Sequence, residues 1–350
     1  MDTVLVTGGL GYIGSHTCLE LVTKGLNVCI IDSLINSSEN TFLRINEILR
    51  KSNKNLKGNI YFRQGDLLNK EFLEEIFREF KNKKNAFSSV IHFAGLKSVE
   101  ESVTNPLKYW GTNLNSALNL LEIMNNFECY SIVFSSSATI YKPLDKGKLI
   151  ESNFKDPINP YGRTKLAIEK ILEDIFFCNS EKWRIANLRY FNPVGAHNSG
   201  LIGEELNNKP SNLLPVILKV SRGEYKELSI FGNDWPTKDG TALRDYIHVM
   251  DLAEGHCSAL EFLLNSEPIL LTLNLGTGRG TSVFEVINAF KNIINKNIPY
   301  EICDKRDGDS AIAIADVSMA KKYLSWESKR DLRKMCIDSW NWQYSNINGY

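Results

Sequence analysis

Hydrophobic runs alternate with helical patterns along the first half of the chain. Short apolar segments rich in β-branched residues occur at TVLVT, NVCIID, NIYF, SVIHF, SIVFSSS and WRIANLRY. Between them lie patterns with helical spacing, which start near residues 12, 39, 70, 106 and 160. Because strands that alternate with helices form βαβ units, this order predicts an α/β fold with a doubly wound parallel sheet that extends to about residue 190.

The regular alternation stops after residue 190. Residues 191–245 contain clustered Gly, Pro and Asn, which predicts long loops around one helix and a short strand. Helical patterns return at 249–265, 282–294 and about 329–345, and the strand ILLTLNL lies between the first two. We therefore predict a first domain over residues 1–190 and a smaller mixed α/β domain over 191–350, some segments of which return to the first.

Composition and charge exclude several classes of protein. The 350 residues include 41 Lys+Arg and 41 Asp+Glu, so the chain lacks the basic excess of nucleic-acid and membrane-surface binders. No segment reaches the roughly 18 uninterrupted apolar residues of a membrane span. The seven cysteines are scattered without a CxxC pair, and the opening MDTVLVTGG has no secretory signal. We expect a cytoplasmic protein with reduced thiols and with no nucleic-acid or membrane partner.

A glycine-rich loop follows the first predicted strand. Gly8, Gly11 and Gly14 precede or open an amphipathic helix, where they permit a tight turn, close approach of a pyrophosphate and close helix–sheet packing. The second strand ends in Asp32, 18 residues beyond Gly14, where a carboxylate accepts from both adenosine ribose hydroxyls and repels a 2′-phosphate. These features predict a Rossmann-type site that binds NAD rather than NADP.

A tyrosine and a lysine share one face of a later predicted helix. Pro160 is expected to open this helix, which places Tyr161 and Lys165 one turn apart, with roughly 6 Å between their Cβ atoms. A YxxxK match alone is as compatible with a surface lysine as with catalysis. Ser137, at the end of the strand SIVFSSS, lies where an open α/β sheet places reacting groups. Beside a dinucleotide fold, the three residues predict a general base, because an ammonium favours the phenolate.

Six segments spread over nearly the whole chain share their order with a known family. They are TGGLGYIGSHT, HFAGLK, SSSATIY, NPYGRTK, LRYFNPVGAH and RDYIHVMDLA. In this order they resemble the UDP-glucose 4-epimerases of the extended short-chain dehydrogenase/reductase family. The resemblance implies that Tyr161 is the base, that Ser137 is its hydrogen-bonding partner, and that Lys165 binds the nicotinamide ribose and tunes the tyrosine.

The resemblance also implies where NAD binds. Beside Gly8, Gly11 and Gly14, the implied contacts are Tyr12, Ile13, Asp32, Asn36, Asp66, Leu67, Phe93, Ala94, Gly95, Lys97, Thr112, Tyr161, Lys165 and Phe191. Thr112 stands where family members usually have an asparagine, so one cofactor hydrogen bond is expected to differ. No metal site is expected, because His197 and His248 have no second ligand at metal spacing.

The resemblance implies a UDP-sugar as the second ligand. Such a ligand presents a diphosphate, a ribose and a uracil, which arginines, amides and an aromatic platform can bind. The implied contacts are Arg244 and Arg306 to the diphosphate, Asn192 and Asn212 as amide donors, Phe231 against uracil, Asp309 to the ribose, Ala313 beside the hexose, and Ser137 and Tyr161 at the reacting carbon. Taken singly, Arg244–Asp245 could equally be a structural ion pair, and Phe231 a core aromatic.

The implied activity is reversible epimerisation at C4 of UDP-glucose and UDP-galactose through a 4-ketohexose, a step of galactose metabolism catalysed by an isomerase. In the family, a tyrosine at the position of Ala313 is associated with excluding N-acetylated sugars, whereas a small residue leaves space beside C2 of the hexose. Activity on UDP-GlcNAc and UDP-GalNAc is therefore expected as well, and the alternative is that Ile312 or Ile314 turns inward and refills the space. A homodimer through helices near 106–126 and 160–180 is the family expectation.

Two alternatives remain at this point. One is a nucleotide-sugar 4,6-dehydratase or decarboxylase of the same fold, which needs an acid directly after the strand-end serine. The chain has Ala138 and Thr139 there. The other alternative is a regulator that binds NAD without turnover. Such proteins typically lack the tyrosine–lysine pair that is present here.

Overall fold

The computed structural model describes residues 2–52, 56–144, 146–205, 210, 212–306 and 308–350. The strands are β1 (Thr3–Thr7), β2 (Asn27–Asp32), β3 (Ile60–Gln64), β4 (Phe87–His92), β5 (Ser131–Ser137), β6 (Arg184–Tyr190), β7 (Asn192–Val194), β8 (Leu228–Phe231), β9 (Leu243–Arg244), β10 (Tyr246–His248), β11 (Ile269–Leu275), β12 (Thr281–Ser282), β13 (Tyr300–Cys303) and β14 (Ile312–Ala313). The helices are α1 (Tyr12–Thr23), α2 (Glu39–Lys51), α3 (Lys70–Asn82), α4 (Val99–Thr104), α5 (Pro106–Asn126), α6 (Pro160–Cys178), α7 (Leu213–Ser221), α8 (Val249–Leu264), α9 (Val283–Ile294), α10 (Ser318–Leu324) and α11 (Leu332–Ser345).

A seven-stranded sheet organises the molecule. Its order is β11-β6-β5-β4-β1-β2-β3, and all neighbouring strands pair in parallel. The predicted Rossmann-type doubly wound sheet is thereby confirmed. Strand β11 comes from the second half of the chain and extends the sheet beside β6. The division into units at residue 190 stays a prediction.

Both faces of this sheet are covered by helices, so its strands are buried. Along β1, Val4 and Val6 belong to the core on one face, which includes residues of α1, α2 and α8. Leu5 belongs to the core on the other face, with residues of α3, α5 and α6. Successive side chains of a strand point to opposite faces, which is why a continuous apolar run such as TVLVT forms a strand buried on both sides.

The second half of the chain adds a separate core beside this sheet. Helices α7, α9 and α11 pack with strand β8 in that core. Three small sheets, β10-β7, β12-β9-β14 and β13-β8, connect it to the rest of the molecule. Helices α4 and α10 were not predicted, because six and seven residues are too few to show a helical period. No described helix is both long and apolar enough to cross a membrane.

Three histidines lie buried against the large sheet. His16, His92 and His256 are at most 2% exposed, and within the described part of the chain the Nε2 atom of each has no hydrogen-bond partner. Burial lowers the pKa of His16 and His92 to about 3 and that of His256 to about 4. His256 also packs against the rings of Phe93 and Tyr190. These rings are therefore neutral in the folded protein at neutral pH.

We expect these rings to make the fold sensitive to acid. An unfolded histidine takes up its proton near pH 6.5, whereas folded His256 does so near pH 4. Below pH 6.5 the unfolded state therefore binds more protons, and the free energy of unfolding falls by up to about 1.4 kcal/mol per pH unit for each such ring. The variant His256→Phe should lose less stability between about pH 7 and about pH 5 than the parent protein does. Urea unfolding at both pH values measures this, and equal losses in the two proteins would contradict the prediction.

Candidate active site

A cavity opens at the carboxyl edge of the large sheet, where strands β1 and β4 lead to helices on opposite faces. Ligands of open α/β sheets bind at such a switch point. The cavity is lined by Gly8, Gly11, Tyr12, Ile13, Gly14, Asp32, Asn36, Asp66, Leu67, Phe93, Ala94, Gly95, Lys97, Thr112, Tyr161 and Lys165, together with Ser135, Tyr190 and six further residues. The structure thus brings together every predicted cofactor contact except Phe191, which lines a second cavity.

The glycine loop forms a close-packed turn at the bottom of this cavity. Gly8 has φ +68, and a Cβ atom there would lie 2.7 Å from the backbone nitrogen of Ala94. A Cβ atom on Gly14 would lie 2.4 Å from the carbonyl oxygen of Gly8. Helix α1 begins directly after Gly11. Side chains at these positions would clash with the neighbouring backbone, so the glycines allow the turn to pack tightly beside the first turn of α1. The free N–H groups and positive dipole of that first turn favour a phosphate.

Asp32 is held in place at the end of β2. Its Oδ2 accepts from the backbone nitrogen of Leu10 at 2.9 Å, and its Oδ1 accepts from the nitrogen of Leu34 at 3.0 Å and the hydroxyl of Ser37 at 2.7 Å. The residue is only 6% exposed. The carboxylate is therefore ordered before any ligand arrives, and carboxylate oxygens can accept further bonds from hydroxyl groups.

Helix α6 brings the tyrosine and the lysine to the end of β5. Asn159 caps the helix by accepting from the nitrogen of Gly162 at 2.8 Å, and Pro160 occupies its first turn. The ammonium of Lys165 donates to the carbonyl oxygen of Ser135 at 2.7 Å and lies 5.9 Å from the centre of the Tyr161 ring. The predicted pairing on one helical face is thus present.

Burial changes the proton affinity of both groups. It lowers the pKa of Lys165 to about 8, and the carboxylate of Glu169 acts in the opposite direction. Burial raises the pKa of Tyr161 to about 12, and its hydrogen bond with Ser137 acts to lower it. The hydroxyl of Ser137 also accepts from the Oγ1 atom of Thr139 at 2.9 Å. A neutral phenol and an ammonium that is readily deprotonated are thus placed side by side.

The second cavity adjoins the first, and Tyr12, Ile13, Lys97, Tyr161 and Tyr190 line both. Its walls include the predicted substrate contacts Ser137, Asn192, Asn212, Phe231, Arg244, Arg306 and Asp309. Ala313 is not among the described residues that line it. This residue lies one strand away, as the parallel partner of Arg244.

Two arginines lie at the outer end of the second cavity. The guanidinium of Arg306 lies over the ring of Phe231, 3.6 Å from its centroid. Arg244 donates to the carbonyl oxygen of Ser310 at 2.9 Å and lies 3.4 Å from the carboxylate of Asp309. Phe231 is therefore not a core aromatic, and Arg244 pairs with Asp309 rather than with its neighbour Asp245. Two cations and an aromatic face at one end suit a ligand with anionic groups and a planar ring.

The lining residues that were not predicted as site residues include Ser135, Thr139, Tyr190 and Glu204. Thr139 lies in the segment SSSATIY, two residues after Ser137, and this spacing could have identified it as a residue of the same site. Tyr190 ends β6 and donates to the hydroxyl of Ser135, which lines the first cavity. Glu204 lies 3.8 Å from the ammonium of Lys97. Glu204 comes from a loop whose position no sequence period reveals.

Comparison with known proteins identifies the family. A family model described as GDP-mannose 4,6 dehydratase matches residues 5–339. The UDP-glucose 4-epimerase of Bacillus subtilis (strain 168) is 49% identical over 347 residues, which are 99% of this chain and 98% of that protein.

Two solved structures share the fold over the full length. A UDP-glucose 4-epimerase from Stenotrophomonas maltophila, with bound NAD and formylated UDP-arabinopyranose, has a TM-score of 0.93 and 43% identity, with 99% of each chain covered. The enzyme from Bifidobacterium longum, in complex with NAD+ and UDP, has a TM-score of 0.91 and 42% identity, with 100% of each chain covered. The chain therefore belongs to the NAD-dependent UDP-glucose 4-epimerase family.

Proposed function

We propose that this protein interconverts UDP-glucose and UDP-galactose by epimerisation at C4, with NAD as its cofactor. The observation that carries the proposal is the position of Tyr161, which lines both the first and the second cavity. A base at this junction faces a dinucleotide on one side and a nucleotide-sugar on the other. Only such a position lets one group serve the cofactor and the substrate together.

The first cavity fits NAD. The Gly8–Gly14 turn leaves room for a pyrophosphate where side chains would clash, and Asp32 offers ordered oxygens to the adenosine ribose. A 2′-phosphate beside this carboxylate would be repelled, which favours NAD over NADP. Lys165 is placed to donate to the nicotinamide ribose, and Thr112 lines the same cavity. When bound, NAD supplies the acceptor for the C4 hydride of the sugar and returns that hydride to the opposite face.

The protein's own residues handle the proton of the sugar hydroxyl. Tyr161 removes the proton from the 4-hydroxyl and gives it back after the sugar has turned. Ser137 holds the same oxygen through a hydrogen bond, and the charge of Lys165 stabilises the phenolate. Because burial raises the pKa of Tyr161, this stabilisation is needed for the base to act near neutral pH.

The second cavity supports a UDP moiety at its outer end. Arg244 and Arg306 can clamp the diphosphate, Asn192 and Asn212 can donate amide protons, and Phe231 and Asp309 can hold uracil and ribose. With UDP held there, the hexose reaches Tyr161 at the inner end. Because epimerisation requires the hexose to rotate within the site, we expect the strong contacts between protein and ligand to be made to the nucleotide.

The residues after Ser137 disfavour a dehydratase or decarboxylase. Elimination from the 4-keto intermediate needs an acid there, whereas the structure has Ala138, and Thr139 donates back to Ser137. A regulator without turnover would not need the buried Tyr161 and Lys165, since burying such groups costs free energy.

We further infer a homodimer and a cytoplasmic location. Large apolar side chains are exposed along α4, α5 and α6, at Val103, Leu107, Leu118 and Phe177, and Leu107 is 85% exposed. Helices α4, α5 and α6 pack against one another, and several exposed apolar side chains on neighbouring helices favour an interface. All seven cysteines are free thiols, which suits a reducing compartment.

Purified protein should convert UDP-galactose to UDP-glucose without added NAD, and the nucleotide extracted after denaturation should be NAD. The variant Tyr161→Phe should retain the nucleotide but lose about 10²–10⁴-fold in kcat, because the general base is missing. Tyr344→Phe, an exposed tyrosine on α11, is the matched control. NADP in the extract, or near-parental turnover by Tyr161→Phe, would contradict the proposal.

We propose that the enzyme also interconverts UDP-GlcNAc and UDP-GalNAc, because the family resemblance puts Ala313, a small residue, beside the hexose. Ala313 does not itself line the second cavity, but it is the strand partner of Arg244, which does. The variant Ala313→Tyr should lose activity on the N-acetylated pair while it keeps activity on UDP-galactose. A tyrosine ring adds on the order of 100 Å³, about the size of an acetamido group. Assays of both sugar pairs with both proteins measure this. If the parent protein has no activity on UDP-GlcNAc, the wider specificity is wrong.

The inferred dimer should dissociate when its apolar face is charged. Leu107→Glu places a carboxylate at the most exposed of these positions and should shift the protein from dimer to monomer in sedimentation experiments, since an unpaired charge is costly in an interface. Ile347→Glu changes an apolar residue of similar exposure elsewhere and serves as the control. A parent protein that sediments as a monomer would overturn the inference.

A further inference from the structure

A buried ion pair lies one helical turn below Lys165 and outside both cavities. Arg189 donates to the carboxylate of Glu169 through two nitrogens, at 2.9 and 2.6 Å. Both side chains are at most 6% exposed. The hydroxyl of Ser136 donates to the same carboxylate. The pair therefore connects helix α6 to strands β5 and β6 directly behind the catalytic groups.

The same pair extends away from the site into a larger network. Arg189 also donates to the hydroxyl of Tyr141 and to the carbonyl oxygen of Glu151, each at 2.9 Å. Tyr141 in turn donates to the side chain of Asn274 on β11 at 2.7 Å. One guanidinium on β6 thus joins α6 to the segments at Tyr141 and Glu151 and, through Tyr141, to β11.

Stability alone does not explain this arrangement. Removing two charges from water costs several kcal/mol for each ion, and well-packed apolar side chains often serve as well or better. What a bidentate ion pair does provide is a fixed geometry. Here the carboxylate of the pair also accepts from Ser136, and so fixes the separation between α6 and the end of β5. The same separation determines how closely Lys165 approaches Ser135.

We propose that Glu169 is a positioning residue: it holds α6 against the ends of β5 and β6 and so sets Lys165 in place. This rests on the proposed function, because it assigns Glu169 a role in that reaction. Glu169 touches neither cavity and acts through Lys165.

The charges around Lys165 give Glu169 an electrostatic role as well. His92 on β4 also faces Lys165, and Tyr190 on β6 faces Tyr161. Burial lowers the pKa of His92 and raises that of Tyr190, so both are neutral near pH 7. Glu169 raises the pKa of Lys165 against the effect of burial. Tyr141, Glu151 and Lys155 are the other titratable groups near the ion pair.

Two single variants should therefore shift the pH dependence in opposite directions. Glu169→Gln keeps the shape but removes a negative charge, which lowers the pKa of both Tyr161 and Lys165 and moves the kcat profile to lower pH by about one unit. Arg189→Met leaves Glu169 unpaired and should move the profile to higher pH. A loss of packing alone would reduce activity without opposite shifts.

A direct titration separates this proposal from the proposed function. The phenolate absorbance of Tyr161, taken as the difference between NAD-loaded parent protein and NAD-loaded Tyr161→Phe, should shift in the same directions in the two variants. This readout needs no turnover. If the parent protein does not convert UDP-galactose, the proposed function fails, and the titration still tests the position of Glu169.

Control and double variants complete the test. Asp251→Asn disrupts another ion pair, between buried Asp251 and half-buried Arg330, outside the two cavities, and should leave the pH profile unchanged. The double variant Glu169→Leu, Arg189→Met removes both charges and should fold and retain NAD with a kcat reduced at least about tenfold. Parental kcat in the double variant, or single variants whose profiles and phenolate titration do not move, would overturn the proposal.

Discussion

The close approach of helix α6 to the end of β5 is the constraint on which the site depends. Gly162 stands in the first turn of α6, and a Cβ atom there would lie only 2.7 Å from the carbonyl oxygen of Thr139. The absence of a side chain lets the helix touch the turn that follows β5. Because of this contact, Tyr161 and Ser137 can share one oxygen of a substrate, and Lys165 can reach the carbonyl of Ser135.

This approach has an energetic cost that the surrounding structure offsets. Lys165 and the carboxylate of Glu169 are both buried, and unpaired charges in such surroundings are strongly destabilising. The carbonyl of Ser135 and the guanidinium of Arg189 supply the partners. A site with a buried ammonium beside a half-buried phenol is therefore stable only as part of this network.

Much of the fold and of the first cavity could be predicted from the sequence, because both follow from local patterns. TVLVT and ILLTLNL are strands with the predicted bounds, and Gly8 and Asp32 meet because parallel strands end at one edge. Other contacts depend on tertiary packing. Arg189 lies in the strand WRIANLRY, where nothing in the periodicity reveals a charge pair with Glu169. Phe191 lies between β6 and β7, where the chain leaves the large sheet. It therefore lines the second cavity rather than the first.

The nucleotide side of the site depends on a second buried carboxylate. Asp245 accepts from the backbone nitrogens of Thr277, Gly278 and Ala315, at 2.8 to 3.1 Å. Its own backbone nitrogen donates to Ala313, and its carbonyl accepts from Asn192. Because backbone N–H groups already donate to the Asp245 carboxylate, it requires no arginine partner. The adjacent Arg244 pairs with Asp309 instead. Asp245 thus holds together four segments of the second half of the chain, and Arg244, which we assign to the diphosphate, lines the second cavity beside them.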